Sequence, residues 1–290
     1  MTDEELEVKV DRVCDYFEES VIDGNTLKGL PIPPICMLTT DTEFDNLAGG
    51  IPQNHFSVLA AGTGVGKSMS SMLLACAYAQ KYKVCYIALE NDMAEDKDRI
   101  SSKDFQYKDL KNLDYISLDC LDNSLSSFVY IAIRWLLRTK KYDLFIIDGL
   151  MLYLPDAKDG MSSYNIGNAV LGEIARICKK LSKTVLLTWQ LSRSAISKNF
   201  DELNDGDVAT SIGVSRYAGH VYVLGRDKPT KKNGVLTFPP TKMKVCKIRV
   251  NKDPNKYHSG NEFEIQNYRG FYLKPKKWGQ YENKTRNGLV

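Results

Sequence analysis

The sequence predicts an α/β fold with a mainly parallel central sheet, antiparallel C-terminal strands and an N-terminal helix. From Phe56 onward, short apolar runs alternate with helical stretches. Near-continuous apolar strands separated by helices are typical of a parallel sheet that helices cover on both faces. After Gly219 the runs HVYVLGR, KVCKIRV, FEIQ and FYL follow one another with turn residues and no helix between them. This change of pattern predicts an antiparallel extension at the edge of the sheet.

One main domain is predicted over residues 36–274, because single cores stop growing at roughly 250 to 300 residues. Residues 1–35 are predicted as a linker helix with an extended segment, and residues 275–290 as a basic, mobile tail. Apolar side chains recur at helical spacing as far as Phe17, and the prolines from Pro31 onward forbid a second helix. Two interpretations of the linker helix stay open: it docks on a neighbouring subunit, or it packs on its own core.

The composition excludes several classes of protein. Hydrophobic residues make up 43% of the chain and charged residues 26%, which suffices for a full core without disulfides or metal. The seven cysteines are scattered singly with no C-x-x-C pair, so we expect reduced thiols and no zinc site. No apolar run approaches the ~20 residues that span a bilayer, and the acidic N-terminus lacks the features of a signal peptide. The protein is therefore expected to be cytoplasmic, without membrane contact.

A phosphate-binding loop is the strongest single motif. It follows the apolar strand FSVLAAG and opens the helix KSMSSMLLACAYAQ, as a P-loop does. Its glycines let backbone N–H groups turn inward around a β-phosphate, and the helix N-terminus adds its positive dipole end. Lys67 is expected to reach the β- and γ-oxygens and Ser68 to contact Mg²⁺, so ATP and Mg²⁺ are the predicted cofactors. The predicted binding residues are Ala61, Gly62, Thr63, Gly64, Val65, Gly66, Lys67, Ser68 and Met69.

Three polar residues end apolar strands that follow the P-loop. Asp148 ends LFIID and is expected to hold Mg²⁺ together with Ser68, with helix capping as the alternative. Glu90 ends VCYIALE and is the expected base or orienter of an attacking water. Gln190 ends TVLLTWQ, where its amide senses a γ-phosphate or is an ordinary polar strand end. Because ligands gather at the carboxyl ends of strands in a doubly wound sheet, Lys67, Glu90 and Asp148 are expected to converge.

Six segments follow one another in a definite order along the chain, and three of them contain Glu90, Asp148 and Gln190. They are 40–50 before the P-loop, and 89–93, 147–150, 188–193, 207–213 and 246–249 after it. Their order resembles the ATPase domain of DnaB-like replicative helicases in the RecA superfamily, over residues 38–272. Gly149 stands where that family usually has tyrosine. The resemblance implies a RecA-like P-loop ATPase core with catalytic Glu90.

The resemblance also assigns Lys247 and Arg249 to a subunit interface. In the helicases such a Lys-x-Arg pair is presented to the γ-phosphate of the adjacent protomer, and an arginine supplied in this way is worth roughly 10³ to 10⁵ in rate. The assignment implies a homo-oligomer, hexameric by resemblance. Without the resemblance, the two side chains are the solvated face of an edge strand, where charges block aggregation.

Residues 207–213 resemble the helicase segment that lines the central channel and touches DNA phosphates. An arginine usual near Ala209 is absent, and Ile212 stands where glycine is common. The loops after the strands that end at Asp148 and Gln190 are expected to contact a single DNA strand, or else to be plain surface connections. The expected DNA-binding residues are Lys158, Lys198, Thr210, Ser211 and Gly213.

Together these expectations predict an ATP hydrolase coupled to DNA translocation and unwinding. The predicted protein is a ring-shaped helicase motor that moves on single-stranded DNA during replication, in a phage, plasmid or bacterial context. A primase or a helicase loader is the candidate protein partner. Two alternatives stay open: a recombinase or other DNA-handling ATPase on the same core, and a nucleotide-gated loader or scaffold without unwinding activity.

Overall fold

The computed structural model describes residues 36–39, 44–45, 48–101, 107, 109–117, 126–138, 141–154, 163–195, 197–209, 211–227, 230–232, 235–237, 241–249 and 262–265. All of them belong to one unit of the chain, Ile35–Val290. The predicted linker helix and extended segment of residues 1–35 and the predicted tail of residues 275–290 lie outside the described residues. Lys158 and Thr210 lie outside them as well.

The described residues form strands, helices and short 3-10 turns. The strands are β1 (Cys36–Met37), β2 (Ile51–Pro52), β3 (Phe56–Ala61), β4 (Val84–Ala88), β5 (Leu113–Ser117), β6 (Leu144–Asp148), β7 (Thr184–Gln190), β8 (His220–Gly225), β9 (Thr230–Lys232), β10 (Val235–Thr237), β11 (Thr241–Ile248) and β12 (Glu262–Ile265). The helices are α1 (Lys67–Ala79), α2 (Met93–Ser101), α3 (Ser126–Leu137), α4 (Ser163–Lys180) and α5 (Ser211–Tyr217). The 3-10 turns are Leu150–Tyr153, Arg193–Ala195, Phe200–Glu202 and Asp205–Asp207.

An eight-stranded sheet in the order β12-β11-β8-β3-β7-β6-β4-β5 organises these elements. The strands from β3 to β8 run parallel to their neighbours, whereas β11 is antiparallel to β8 and β12 is antiparallel to β11. The predicted mainly parallel sheet with antiparallel C-terminal strands is therefore confirmed. One detail differs from the prediction, because HVYVLGR forms β8 and β8 still pairs in parallel with β3. The direction reverses only at β11, and FYL lies outside the described residues.

The core has two layers, one on each face of the sheet. Successive strand residues point to opposite faces, and each face is apolar because helices cover both. In β3, Val58 packs with residues of α3 and α4, whereas Leu59 packs with residues of α1. The same alternation places Phe145 of β6 in the first layer and Ile146 in the second. This arrangement explains why the strands read as continuous apolar runs.

The strand register brings the polar strand ends to one edge of the sheet. Ala61 of β3 pairs with Gln190 of β7, and Ala88 of β4 pairs with Asp148 of β6. Because these strands are parallel, their carboxyl ends and the loops that follow them share that edge. None of the described helices is long and apolar enough to cross a membrane.

Candidate nucleotide-binding site

The P-loop joins the end of β3 to the start of α1. Gly64 and Gly66 have φ angles of 74° and 102°, in the left-handed region that glycine adopts without steric cost. Gly66 directly precedes the helix, and its carbonyl accepts a hydrogen bond from the Ser70 N–H at 2.9 Å. The first N–H groups of a helix have no partner within the helix. The loop therefore presents donors and the positive end of the α1 dipole, which together favour an anion.

Lys67 and Glu90 meet beside the P-loop. The Lys67 Nζ lies 3.2 Å from the Glu90 Oε2, and the two side chains are 11% and 34% exposed. The chain turns after β4, where the Leu89 N–H donates to the Asp148 carbonyl at 2.9 Å. Gly149 has a φ of 93° and a Cβ there would stand 2.9 Å from the Glu90 Cβ. A larger residue at position 149 would therefore displace Glu90, which accounts for glycine at this position.

Asp148 is a buried carboxylate with one open oxygen. Its Oδ2 accepts hydrogen bonds from the Tyr86 hydroxyl at 3.2 Å and from the Asn91 side-chain amide at 3.3 Å. Its Oδ1 is buried and has no hydrogen-bond partner among the described residues. Burial raises the pKa of the Asp148 carboxyl above its ordinary value, and the nearby hydroxyls of Thr188 and Ser68 oppose part of that rise.

The open oxygen of Asp148 and the Ser68 hydroxyl fit a Mg²⁺ ion. Mg²⁺ takes oxygen ligands, and proteins hold it through one or two carboxylates together with substrate phosphates. A buried carboxylate oxygen without a partner costs free energy. A cation bound between these two residues would supply the missing partner, and Ser68 and Asp148 as its ligands stay a prediction.

Gln190 connects the site to the segment that precedes α5. The Gln190 carbonyl accepts the Ala209 N–H at 2.9 Å, and the Trp189 indole N–H donates to the Ala209 carbonyl at 2.8 Å. On its other side, the Leu191 N–H donates to the Ala61 carbonyl at the start of the P-loop, at 3.2 Å. The end of β7 is thereby tied both to the P-loop and to Ala209.

Lys247 and Arg249 lie at the opposite edge of the sheet. In the β8–β11 pairing, Lys242 lies opposite Gly225 at the carboxyl edge, whereas Ile248 lies opposite His220 at the other end. Lys247 is therefore about 20 Å along β11 from the P-loop edge, at ~3.4 Å per residue. The Lys247 ammonium donates to the Ser215 carbonyl, and the Arg249 guanidinium donates to the Arg216 carbonyl at 2.8 Å. Burial, followed by the Arg249 charge, lowers the pKa of Lys247.

The residues predicted to bind DNA are placed as follows. The Lys198 ammonium forms an ion pair with the Asp207 carboxylate at 2.5 Å. Gly213 is buried, and a Cβ there would stand 2.3 Å from the Asn168 Oδ1, so glycine allows α5 to pack closely on α4. Ser211 is the first residue of α5. Lys158 and Thr210 lie outside the described residues, and the DNA contacts of all five residues stay predictions.

Sequence reasoning missed several residues of the site. Tyr86 and Asn91 hold one oxygen of Asp148, and Asn91 could have been found because it directly follows Glu90. Arg226 and Thr241 reach the P-loop from β8 and β11: the Arg226 Nε donates to the Thr241 hydroxyl at 2.9 Å, and that hydroxyl donates to the Val65 carbonyl at 3.0 Å. No local pattern marks Thr241, because 176 residues separate it from Val65.

Comparison with known proteins bears on the family and the fold of the chain. A family model described as an AAA domain matches residues 39–195. The flagellar accessory protein FlaH from Methanocaldococcus jannaschii has a similar crystal structure, with a TM-score of 0.54 and 18% identity, covering 82% of this chain and 97% of that one. The KaiC-like protein PH0186 from Pyrococcus horikoshii OT3 has a TM-score of 0.56 and 16% identity, covering 83% of this chain and 100% of that one.

These similarities support the predicted RecA-like P-loop ATPase fold. At these identities, the two structures are evidence of the fold alone. A comparison with curated protein sequences gives no significant match. The more specific resemblance to DnaB-like helicases therefore stays a prediction.

Proposed function

The chain belongs to the AAA domain family, and from this premise we propose that it is an ATP-dependent, ring-shaped DNA helicase motor. One observation supports the ATP-hydrolysis part of the proposal above all: Lys67 and Glu90 lie 3.2 Å apart beside the P-loop, and the charges of both act on the buried carboxylate of Asp148. Phosphoryl transfer to water needs a cation for the phosphates, a carboxylate for the attacking water and an oxygen ligand for the metal.

Each residue has a separate task in the proposed hydrolysis. The P-loop N–H groups and Lys67 bind the β- and γ-phosphates, while Asp148 and Ser68 hold Mg²⁺. When bound, the ion neutralises charge that develops on the phosphate oxygens. Glu90 is partly exposed, so it meets a solvent water, accepts its hydrogen bond and aligns it with the γ-phosphate. The Lys67 ammonium holds the Glu90 carboxylate at this position before nucleotide binds.

The link through Gln190 supports coupling to a DNA strand. The Gln190 side chain is proposed to sense the γ-phosphate, and the Gln190 carbonyl holds Ala209 at 2.9 Å. A movement at the end of β7 would therefore reach residues 207–213, which precede and begin α5. Single-stranded DNA is the proposed ligand of this segment, in a homo-oligomeric ring with Lys247 and Arg249 serving the neighbouring site. A primase or helicase loader is the proposed protein partner.

A second candidate function is a RecA-like recombinase or other DNA-handling ATPase, or a nucleotide-gated loader or scaffold without unwinding activity. Two observations favour it. The similar solved structures are named as a flagellar accessory protein and a KaiC-like protein. In addition, Lys198 is paired with Asp207 and Gly213 is buried, so both engage in contacts within the protein.

DNA-dependent activity distinguishes the two candidates. ATP hydrolysis would be measured with and without single-stranded DNA, and strand displacement would be measured on a forked duplex, with Lys67→Ala as the inactive control. The helicase proposal expects stimulation by DNA and displacement by the wild-type protein only. An assembled protein that hydrolyses ATP but displaces no strand would favour the second candidate.

A further inference from the structure

A buried threonine from the far end of the sequence contacts the P-loop. Thr241 is the first residue of β11 and is 3% exposed. Its hydroxyl lies 3.0 Å from the Val65 carbonyl oxygen and 2.9 Å from the Arg226 Nε. An arginine N–H can only donate. The Thr241 oxygen must therefore accept from Arg226, which leaves its own hydrogen to donate to Val65.

This contact sets the direction of one P-loop peptide bond. Val65 and Gly66 are joined by a planar trans peptide, in which the C=O and the N–H point in opposite directions. Holding the Val65 carbonyl toward Thr241 therefore turns the Gly66 N–H away from it. Gly66 has a φ of 102° and no side chain to limit its rotation, so a fixed neighbour is needed to keep this N–H in one orientation.

Thr241 and Arg226 together form a brace on the P-loop. A second pair of residues, Asp227 and Lys242, holds this brace in place. Arg226 directly follows β8, and the next residue, Asp227, forms an ion pair with Lys242 at 2.5 Å. The Arg226 Nη2 stands 4.0 Å from the position that a Cβ on Gly66 would take. The end of β8 and the start of β11 are thereby joined on the side of the P-loop opposite β7.

We propose that Thr241, held by Arg226, is a positioning residue that keeps the Gly66 N–H facing the polyphosphate of a bound nucleotide. The inference rests on the ATP-binding function proposed above. Arg226 acts on the phosphate site through the Thr241 hydroxyl. The brace adds a rigid support on one side of the P-loop to the support that β7 gives on the other.

The test compares two buried threonines, one in contact with the P-loop and one at the opposite edge of the sheet. Thr241→Val removes the hydroxyl and keeps the shape, and Thr184→Val is the matched control. Thr184 is also 3% exposed, and its hydroxyl accepts the Asn54 N–H at 3.3 Å, at the opposite edge of the sheet. Equilibrium binding of Mg·ATP and Mg·ADP, the KM and kcat of hydrolysis, and the Tm would be measured for each variant.

Thr241→Val is expected to weaken binding of both nucleotides about tenfold, the usual scale for one well-placed hydrogen bond. KM should rise while kcat changes little, because the contact is made in the ground state and transition state alike. Thr184→Val should lower Tm to a similar degree and leave binding unchanged. Thr241→Ser keeps the hydroxyl and should restore binding.

A double-mutant cycle with Arg226→Met tests the route of action. If Arg226 acts through Thr241, Arg226→Met weakens binding in the wild-type background and adds nothing to Thr241→Val. Equal effects in both backgrounds would overturn this part of the proposal, because Arg226 would then contact the nucleotide itself. If Thr241→Val does not fold, Arg226→Met and Thr241→Ser decide the question: loss in the first and retention in the second support the brace, and any other pattern overturns it.

The outcome for the wild-type protein separates this inference from the proposed function. A wild-type chain that binds no ATP would end both. A wild-type chain that binds and hydrolyses ATP, with Thr241→Val indistinguishable from Thr184→Val, would overturn the brace alone.

Discussion

Burial distinguishes the two carboxylates of the candidate site. Asp148 is fully buried, whereas the Glu90 side chain is 34% exposed and paired with Lys67. A buried carboxylate with an open oxygen suits a metal ligand, while a partly exposed one is able to meet a solvent water and align it. The two residues are therefore expected to give different phenotypes when their charge is removed.

Glu90→Gln is expected to stop ATP turnover while ATP binding remains. The amide cannot accept a proton from the attacking water, and a general base typically contributes about 10²- to 10⁴-fold to the rate. Binding should be kept, because Lys67 loses a competing partner and stays free for the phosphates. Single-turnover hydrolysis and equilibrium binding of ATP measure the two effects separately.

Glu95→Gln is the matched control for this change. Glu95 also sits 3.2 Å from a cation, Arg99, but on the exposed surface of α2. Surface ion pairs contribute little, so turnover and binding should stay at the wild-type level. Turnover by Glu90→Gln within a few-fold of wild type would show that another group orients the water.

Asp148→Asn is expected to stabilise the nucleotide-free protein and abolish its stabilisation by Mg·ATP. The substitution removes a charge that burial disfavours, so the free energy of unfolding should rise. In a domain of this size, each kcal/mol raises Tm by roughly 2–4 °C. It also removes the negative charge that attracts the ion, because the amide is neutral and keeps only one of the two oxygens. Thermal melts with and without Mg·ATP measure both effects. Asp143→Asn, directly before the first residue of the same strand, is the control, and its protein should keep the Mg·ATP effect.

The raised pKa of Asp148 also predicts a pH dependence. Between its ordinary pKa and its raised one, the folded protein binds more protons at this site than the unfolded chain does. The free energy of unfolding therefore falls as pH rises through that window. Above the raised pKa, the loss of stability from the buried charge is complete. The Tm advantage of Asp148→Asn over wild type should grow from acidic to neutral pH. An advantage that does not change with pH would contradict this assignment.

At the scale of elements, β11 runs from the P-loop to the opposite edge of the sheet. Its first residue, Thr241, contacts the P-loop of its own chain, whereas Lys247 near its end and Arg249 just after it contact α5 at the opposite edge of the sheet. Because Lys247 and Arg249 are at least about 20 Å from that P-loop by strand geometry, they are too distant to serve the same site. Their proposed target is therefore the nucleotide of a neighbouring subunit.

Mixing two inactive variants tests this arrangement. Arg249→Ala alone should lower hydrolysis by roughly 10³-fold, and Glu90→Gln alone should be inactive. In a mixed oligomer, the intact site of the first chain receives Arg249 from the second, so activity should reappear. A mixture that is no more active than its separate components would place the role of Arg249 within one chain. Arg176→Ala, which removes an arginine that is 74% exposed, is the control and should be active alone.

At the scale of the whole molecule, the prediction concerns assembly. A site completed by a neighbour requires an oligomer, and a head-to-tail interface closes into a ring or extends into a helix. With a non-hydrolysable ATP analogue and single-stranded DNA, electron microscopy should show closed rings of six subunits. Open helical filaments would favour a recombinase-like protein, and monomers that hydrolyse ATP at full rate would exclude a residue supplied by a neighbour.

The sequence by itself determined the parallel sheet, the P-loop and the polar strand ends at Glu90, Asp148 and Gln190. These features are local: an apolar run, a glycine pattern and one polar residue after a strand. Because all parallel strands end at one edge, placing each residue on its strand was enough to predict that they converge. The direction of β8 could not be predicted in this way. A run of strands without helices does not indicate at which strand the antiparallel pairing begins.

Only the tertiary structure decided which groups complete the site. The open oxygen of Asp148 depends on Tyr86 and Asn91 taking the other one, and the space for Glu90 depends on glycine at position 149. Thr241 reaches Val65 across 176 residues. Contacts of this kind follow from strand order and register, which are fixed by the packing of the whole chain and leave no local pattern in the sequence.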